Sequence, residues 1–567
     1  KATTRQVPAH GRAMSGKAME RRATAPHAPG MRLFCCLSLL VTGIVPAAAQ
    51  SVEQGLLQLE WGDPRPVAQG EARPPPKFNA WLVKDDGTRL ALDPAQARLA
   101  AGDLYMLANR RVAVSYAATP AQARVMASAP PRIEAIVSAE SAVRTGPVTA
   151  ANARVMAAAP VTGTTRWVTV MCKFADIATE QKDRQFFNDQ YGTAVGQLGH
   201  YWSEVSYGKI NLAGSSAQGW FTLPQPRSHY VTQENGKDKA DLKKLFADCG
   251  AAADASVDFA SVQGVNLMFN GELDGFAWGG GSCAPLEGRT SLCTRVTWNP
   301  PWSFNNAAPL AHEMGHGYGL PHSDNSDGDD DTYDNPWDVM SDSWSNAVRD
   351  SVYGARPKHI NIFQRHRLQW VDAARQRVIL PGNAATQQID LDYAHIAGSA
   401  NTQMLVLSLS AQSDPYATVV YTLEARKREG PYEGALAGNA VIIHKVERSG
   451  TAYSIDADVP PADTSNNEGS MFKVGERWST PDGTHAVTIT AQTATGFRVT
   501  VEPGVPPRVM SSPMPPRLVQ STANASSPAS TQVQGVPAPA DAPSAAEREA
   551  CAAPRDGRVR PSGCLLR

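Results

Sequence analysis

Residues 312–322 read His-Glu-Met-Gly-His-Gly-Tyr-Gly-Leu-Pro-His, which places three imidazoles and a carboxylate at fixed spacing. All five fixed positions of H-E-x-x-H-x-x-G-x-x-H are present, in a chain with only 12 histidines. His312 and His316 are four positions apart, so on a helix their side chains leave one face and can share one metal ion. The segment therefore predicts a metal centre.

The rest of the motif predicts a catalytic centre. Gly319 permits a positive φ that ends the helix and turns the chain, so that His322 returns as the third ligand. Three neutral imidazoles leave a fourth tetrahedral position open for water, and zinc is the ion we expect there. Glu313, next to the first ligand, is the expected general base, which would later pass the proton to a leaving amine.

A helix from about residue 307 to residue 317 is needed to hold these groups. Asn305 and Asn306 can cap its start, and Pro309 suits a first turn. The alternative is a buried helix with incidental histidines, which fits one histidine alone better than it fits the whole set.

The motif resembles the zinc site of the metzincin metallopeptidases. That clan also has a methionine turn beneath the metal, and Asn335-Pro336-Trp337-Asp338-Val339-Met340-Ser341 is the matching segment here. The resemblance assigns Met340 to that turn. Two residues later stands Asp342 rather than Tyr, so the extra tyrosine ligand of the astacin and serralysin branches is not supported.

Further segments resemble immune-inhibitor-A-like and gametolysin-like bacterial peptidases, over roughly residues 165–503. These segments are residues 201–209, 219–224, 357–364, 421–426 and 442–444. Many immune-inhibitor-A relatives carry an acidic residue at the third-ligand position, where this chain has His322. The subfamily therefore stays open.

Seven aspartates lie between residues 324 and 338, and they would repel one another unless solvated or bound to a cation. The candidate calcium ligands are Asp324, Asp327, Asp329, Asp331 and Asp334. A Ca²⁺ loop and a solvated acidic loop remain equal alternatives.

Residues 31–50 have the pattern of a signal peptide, with an apolar run and Ala47-Ala48-Ala49 before the expected cleavage point. Residues 1–30 precede a credible start at Met31 and are set aside as a non-native upstream segment. We therefore expect export, to the extracellular space or the periplasm, without a membrane anchor. A net charge of −1, from 53 basic and 54 acidic side chains, argues against a nucleic-acid partner.

Six of the eight cysteines remain after the expected cleavage, and an even count in an oxidising compartment predicts disulfides. Proximity along the chain favours Cys283 with Cys293 and Cys551 with Cys564, which leaves Cys172 with Cys249. A thiolate zinc site lacks the necessary C-x-x-C spacing.

The predicted fold class is α+β, a metzincin-like domain with a twisted sheet and an active-site helix, flanked by all-β domains. The predicted divisions are a small β domain or propeptide at 51–117, an Ala/Pro-rich linker at 118–164 and the zinc domain at 165–375. An antiparallel β-sandwich at 376–503 and a disordered tail at 504–567 follow. Gly279-Gly280-Gly281 indicates a flexible loop. Residues 266–270 are expected to form the edge strand that pairs with the substrate backbone.

Residues 51–165 contain no cysteine, which excludes a cysteine switch over the metal. One hypothesis is that residues 51–164 keep the enzyme inactive, either through an aspartate or by covering the site sterically. The other is that residues 52–117 form a permanent accessory domain.

The whole pattern predicts a secreted zinc endopeptidase acting on proteins or peptides, with oligomeric state unknown. The alternatives are a glycan- or surface-binding protein with a vestigial zinc site and a zinc hydrolase of non-peptide amides. The intact Glu313 beside three histidines argues against the first. No G-x-S-x-G or G-x-x-x-x-G-K-[ST] motif supports a serine hydrolase or a nucleotide hydrolase.

Overall fold

The structure is a computed structural model, and it describes residues 51–67, 71, 73–117, 131–145, 160–329, 331–382, 385–412, 414–457 and 468–504. These residues belong to one compact unit. The expected signal peptide, the segment before it, the tail beyond residue 504 and the Cys551–Cys564 pair lie outside the described residues. Among the described residues, no helix is both long enough and apolar enough to cross a bilayer.

The elements fall into three stretches of the chain. The first stretch has β1 (Ser51–Pro64), β2 (Lys77–Val83), β3 (Arg89–Leu92), α1 (Pro94–Ala101), β4 (Arg111–Tyr116), β5 (Ile133–Ser138) and α2 (Ala139–Thr145). The second has β6 (Gly163–Thr164), β7 (Trp167–Lys173), α3 (Arg184–Gln190), α4 (Leu198–Val205), β8 (Ile210–Asn211), β9 (Ser216–Thr222), α5 (Arg227–Tyr230), β10 (Val231–Glu234), β11 (Lys237–Ala240), α6 (Leu242–Ala253), β12 (Gly264–Phe269), β13 (Phe276–Ala284), β14 (Leu292–Asn299), α7 (Pro301–Phe304), α8 (Ala307–Gly317), β15 (Ser323–Asn325), β16 (Arg349–Asp350), β17 (Gly354–Ala355) and α9 (Ile362–Arg367). The third has β18 (Gln376–Ile379), β19 (Gln387–Asp392), β20 (Met404–Ser408), β21 (Val420–Arg426), α10 (Gly430–Glu433), β22 (Ala440–Val446), β23 (Ala452–Ser454), β24 (Arg477–Ser479), β25 (His485–Gln492) and β26 (Gly496–Pro503). Helices and several sheets together make an α+β protein.

One large sheet runs through the first two stretches. Its strand order is β3-β2-β1-β13-β14-β12-β7-β9, and β4 pairs with both β1 and β5. Residues 51–117 therefore share a sheet with the metal-site stretch, although the first stretch also has its own apolar core between residues 57 and 136. Within the segment expected to be a linker, residues 131–145 form β5 and α2 instead.

Two expectations about this sheet are wrong. Residues 266–270 do not form an edge strand, because β12 lies between β14 and β7 and pairs with both in parallel. The glycines at 279–281 do not form a flexible loop either, since all three are buried within β13. A side chain at Gly279 would collide with Glu313 and His316 of α8, so glycine there lets the helix pack closely on the strand.

The strands of the third stretch form two sheets that share a core, and β15 of the second stretch joins one of them. One has the order β15-β23-β22-β21-β20-β18 and the other β19-β26-β25-β24, with Leu405, Leu423 and Ile443 from the first packed with Val487 and Val499 from the second. The arrangement is a two-layer β structure, but the first sheet is mixed rather than antiparallel. The chain crosses to the other sheet as β19 between β18 and β20, so those two strands run parallel.

Two disulfides tie the metal-site stretch together. The structure pairs Cys172 of β7 with Cys249 of α6, and Cys283 of β13 with Cys293 of β14, with Cα atoms 5.9 Å and 4.0 Å apart. The second pairing is the one that proximity along the chain favours, and the first is the pairing that it left for the remaining cysteines.

Removing either disulfide should destabilise the protein, and the two losses should differ. The bonds close loops of 77 and 10 residues, for which chain entropy gives about 4.5 and about 2.7 kcal/mol. We expect the Cys172→Ala/Cys249→Ala variant to unfold at a lower urea concentration than Cys283→Ala/Cys293→Ala. Equal midpoints, or the reverse order, would contradict the chain-entropy account.

Candidate metal centre

Helix α8 holds the first part of the motif, and all of its residues are buried. The helix starts after Asn306, whose side chain does not cap it; its Oδ1 instead accepts a hydrogen bond from the amide of Ala355, 3.0 Å away. At the other end Gly319 has a φ of 89°. This conformation, which favours glycine, reverses the chain and brings His322 back to the helix, as the motif predicts.

The backbone orients two of the imidazoles. The Nδ1 atom of His312 lies 2.6 Å from the carbonyl oxygen of Val339, and Nδ1 of His316 lies 2.7 Å from the carbonyl oxygen of Leu320. A carbonyl can only accept, so each Nδ1 carries the proton and donates it. Each Nε2 is therefore left with a lone pair, and the two Nε2 atoms are 3.0 Å apart. Such a second contact fixes the tautomer that binds a metal.

A fourth group, Asp63 at the end of β1, reaches the same point. Its Oδ1 lies 2.7 Å from Nε2 of His322 and 3.4 Å from Nε2 of His312, and its Oδ2 lies 3.3 Å from Nε2 of His316. The four side chains are all buried, and their ligand atoms are close enough to hold one metal ion.

These separations fit a single small cation. Zinc binds imidazole nitrogen at about 2.0–2.1 Å, so neighbouring ligands of a tetrahedral ion lie about 3.3 Å apart. The His312–His316 Nε2 distance and the three distances from the imidazoles to the Asp63 oxygens, 2.7–3.4 Å, scatter about that value. In addition, Glu313 Oε2 is buried without a hydrogen-bond partner among the described residues. The chemistry of the donor set therefore fits a transition metal such as zinc; its identity does not follow from the geometry.

The local electrostatics differ between the imidazoles. Burial acts to lower the pKa of His312, but the Asp63 carboxylate outweighs burial and raises that pKa. Burial lowers the pKa of His316 to about 3, so its imidazole stays neutral at physiological pH and can bind an ion. Burial opposes the ionisation of Asp63, but the adjacent His312 and His322 hold its pKa well below the ordinary value. For Glu313, burial and then the Asp63 charge raise the pKa well above the ordinary value.

Tyr333 completes the group around Asp63, and sequence reasoning did not find it. Its phenol donates a hydrogen bond of 2.6 Å to Asp63 Oδ1. Burial and the nearby carboxylate raise the pKa of Tyr333 well above its usual range, so the hydroxyl stays protonated and remains a donor. A search for a tyrosine two residues after Met340 misses it, because Tyr333 precedes that methionine.

The expected methionine turn lies under the helix. Met340 is fully buried, and a side chain at Gly315 of α8 would overlap its sulfur. Asp338 holds the turn, since its Oδ1 accepts from the amide of Met340 at 2.8 Å and its Oδ2 accepts from the amide and the side chain of Asn361 at 3.0 Å and 2.6 Å. This turn also supplies Val339, the carbonyl that orients His312.

Comparison with known proteins adds no assignment. No protein-family model matches the chain, and no curated protein matches it significantly.

The acidic loop forms a second cluster. Carboxylate oxygens of Asp327, Asp329 and Asp334 lie within 4.8 Å of one another. Asp334 is 2% exposed, and its Oδ2 has no hydrogen-bond partner among the described residues. Burial and neighbouring aspartates raise the pKa of Asp334 and of Asp324 to about 8. The other two expected ligands, Asp324 and Asp331, are not part of this group.

If the acidic loop binds Ca²⁺, the ion should stabilise the folded protein. We expect millimolar CaCl₂ to raise the melting temperature of the wild type, because a ligand that binds only the folded state stabilises it. The Asp327→Asn/Asp329→Asn variant should lose this response, whereas the exposed pair Asp85→Asn/Asp86→Asn should keep it. Differential scanning calorimetry against a MgCl₂ control measures the shift. An unchanged melting temperature in the wild type would favour the solvated loop.

Proposed function

We propose that this protein is a secreted zinc-dependent endopeptidase of the metzincin type. The observation that carries the proposal is the convergence of His312, His316 and His322, with Glu313 one residue from the first ligand and Met340 below. The spacing, the imidazole tautomers and the buried turn support it together.

The protein's own residues have separate tasks in peptide hydrolysis. His312, His316 and His322 would hold the zinc ion, which polarises the scissile carbonyl and acidifies water when bound. Glu313 accepts a proton from the attacking water on its carboxylate and delivers it to the leaving nitrogen. When a neutral peptide takes the place of Asp63, Glu313 loses the neighbouring carboxylate that, after burial, raises its pKa.

Tyr333 has a role that follows from its contact with Asp63. Its hydroxyl donates to a carboxylate oxygen placed among the three imidazoles. The oxygen of a scissile carbonyl gains negative charge in the transition state, and at this place it would receive the same hydrogen bond. A donor fixed in a buried site stabilises such charge without reorganisation.

The buried Glu313 disfavours the two alternatives unequally. A vestigial zinc site in a binding protein gives no reason to keep an unpaired carboxyl buried beside the ligands, since burying it costs free energy. A zinc hydrolase of non-peptide amides would use the same groups, so the substrate assay has to separate that alternative.

Replacing Glu313 should abolish turnover and leave the metal in place, because Glu313 is a base and not a ligand. Casein and gelatin hydrolysis would be measured for Glu313→Ala, with and without 1,10-phenanthroline, after metal analysis by mass spectrometry. The wild-type residue and Glu313→Ala would each be tested with Asp63 present and with Asp63→Ala, which removes the carboxylate that lies among the three imidazoles. The exposed Glu234→Gln is the control. Chelator-sensitive cleavage that Glu313→Ala lacks supports the proposal. Full activity in that variant would remove Glu313 as the base, and cleavage of peptidoglycan alone would favour the amide hydrolase.

Removing the Tyr333 hydroxyl should slow catalysis rather than weaken substrate binding. In the Asp63→Ala background we expect Tyr333→Phe to lower kcat by about 10²-fold, the usual effect of losing one transition-state donor, with little change in KM. Tyr416→Phe is the matched control, since the Tyr416 hydroxyl is buried without a partner among the described residues. A rise in KM at constant kcat would assign Tyr333 to ground-state binding instead.

A further inference from the structure

We propose that residues 60–64 of β1 are a built-in inhibitory segment, in which Asp63 is the fourth metal ligand and the strand occupies the place of a peptide substrate. The inference rests on the proposed function. It makes the chain, in the conformation described here, a latent form of the enzyme.

Segment 60–64 covers the strand that borders the metal centre. It pairs antiparallel with β13, in the register Glu60 opposite Gly280 through Pro64 opposite Phe276. The other edge of β13 is already bonded to β14. An extended peptide that added to β13 would need the same backbone groups, so segment 60–64 and such a peptide exclude each other.

Side chains of the segment enter the site itself. Successive strand residues face opposite sides of a sheet, so Trp61 and Asp63 share the face that packs on α8. The indole of Trp61 stacks on the imidazole of His316, with ring centroids 4.7 Å apart and planes 5° from parallel. Trp61 is 3% exposed. The segment thus fills both the fourth ligand position and the space beside His316.

Asp63 also changes the kind of metal site. Three protein ligands leave one position for water or substrate, which is typical of catalytic zinc, whereas four protein ligands make a closed site. The three histidines alone would form an open site. With Asp63 the donor set is complete, and an ion held by it has no position for the reacting water.

The remainder of the first stretch presents segment 60–64 rigidly. On the side away from β13, residues 56–62 of β1 pair with β2. Two ion pairs attach the stretch to the rest of the protein, Asp103 with Arg367 at 2.8 Å and Lys77 with Asp274 at 2.8 Å. A group held this way competes at high effective concentration with any free ligand.

A permanent accessory domain, the other hypothesis from the sequence, does not account for these contacts. Such a domain could pack anywhere that leaves the cleft free. Here the one aspartate of the first stretch that contacts the three histidines is on the strand that covers β13. Removal of this segment from the cleft is therefore the event that would open the enzyme.

The test uses the full chain with cobalt(II) in place of zinc and acetohydroxamic acid as a small metal-binding probe. We expect wild type and the exposed control Asp86→Asn to keep their visible spectra unchanged when the probe is added. Asp63→Ala and Asp63→Asn should bind one cobalt each, shift their spectra and bind the probe at least about tenfold more tightly, because the competing carboxylate is gone. Asp63→Asn keeps the side-chain size, should Asp63→Ala fail to fold.

The outcomes separate this inference from the proposed function. Probe binding to the Asp63 variants alone supports latency even if neither variant cleaves casein or gelatin, because the rest of segment 60–64 still pairs with β13. Equal probe binding by wild type and both variants overturns the inference, whatever the activity. Equal casein cleavage by wild type and Asp63→Asn, with equal spectra, would overturn latency and leave the peptidase standing.

Discussion

Two hydrogen bonds to backbone carbonyls decide what the metal centre can be. The Nδ1 protons of His312 and His316 are committed to Val339 and Leu320, so both Nε2 lone pairs point into a buried space where they would repel one another unless a positive charge lies between them. Each carbonyl belongs to a segment that must be held in place. Val339 lies in the turn at Met340, which Asp338 and Asn361 fix. Leu320 lies in the reversal of the chain at Gly319. Much of the surrounding structure serves to keep these acceptors still.

The sequence allowed the local part of this arrangement to be predicted. Helix α8 has the predicted bounds, 307–317, because i, i+4 spacing and a following glycine are local signals. The reversal at Gly319 and the Cys283–Cys293 disulfide also follow from short-range patterns, whereas Cys172–Cys249 was predicted only as the remaining pair. The prediction that the Asn306 side chain caps the helix was wrong, because that side chain accepts a hydrogen bond from the amide of Ala355 instead.

The parts that failed depend on strand order, which no local pattern encodes. Residues 266–270 are apolar enough for either an edge or an interior strand. Only the pairing of β12 with two neighbours shows that the strand is interior. Gly279 occurs in a run that elsewhere would favour a loop, but here the missing side chain allows α8 to approach. Asp63 is 259 positions from His322, and its surroundings do not distinguish it from Asp85, Asp86, Asp93 or Asp103. The sequence could suggest that an aspartate blocks the site, but only the pairing of β1 with β13 identifies which one.

The disulfide between Cys283 and Cys293 has a mechanical consequence. Strand β13 is bonded to β1 along one edge and to β14 along the other, by backbone hydrogen bonds of the same kind. A force that pulls β1 away acts on the hydrogen bonds of both the β1–β13 pair and the β13–β14 pair, and either pair could separate. The covalent link adds strength to the β13–β14 side only, so the β1–β13 side is the one held by hydrogen bonds alone. If segment 60–64 is removed as proposed, the disulfide keeps β13 joined to β14.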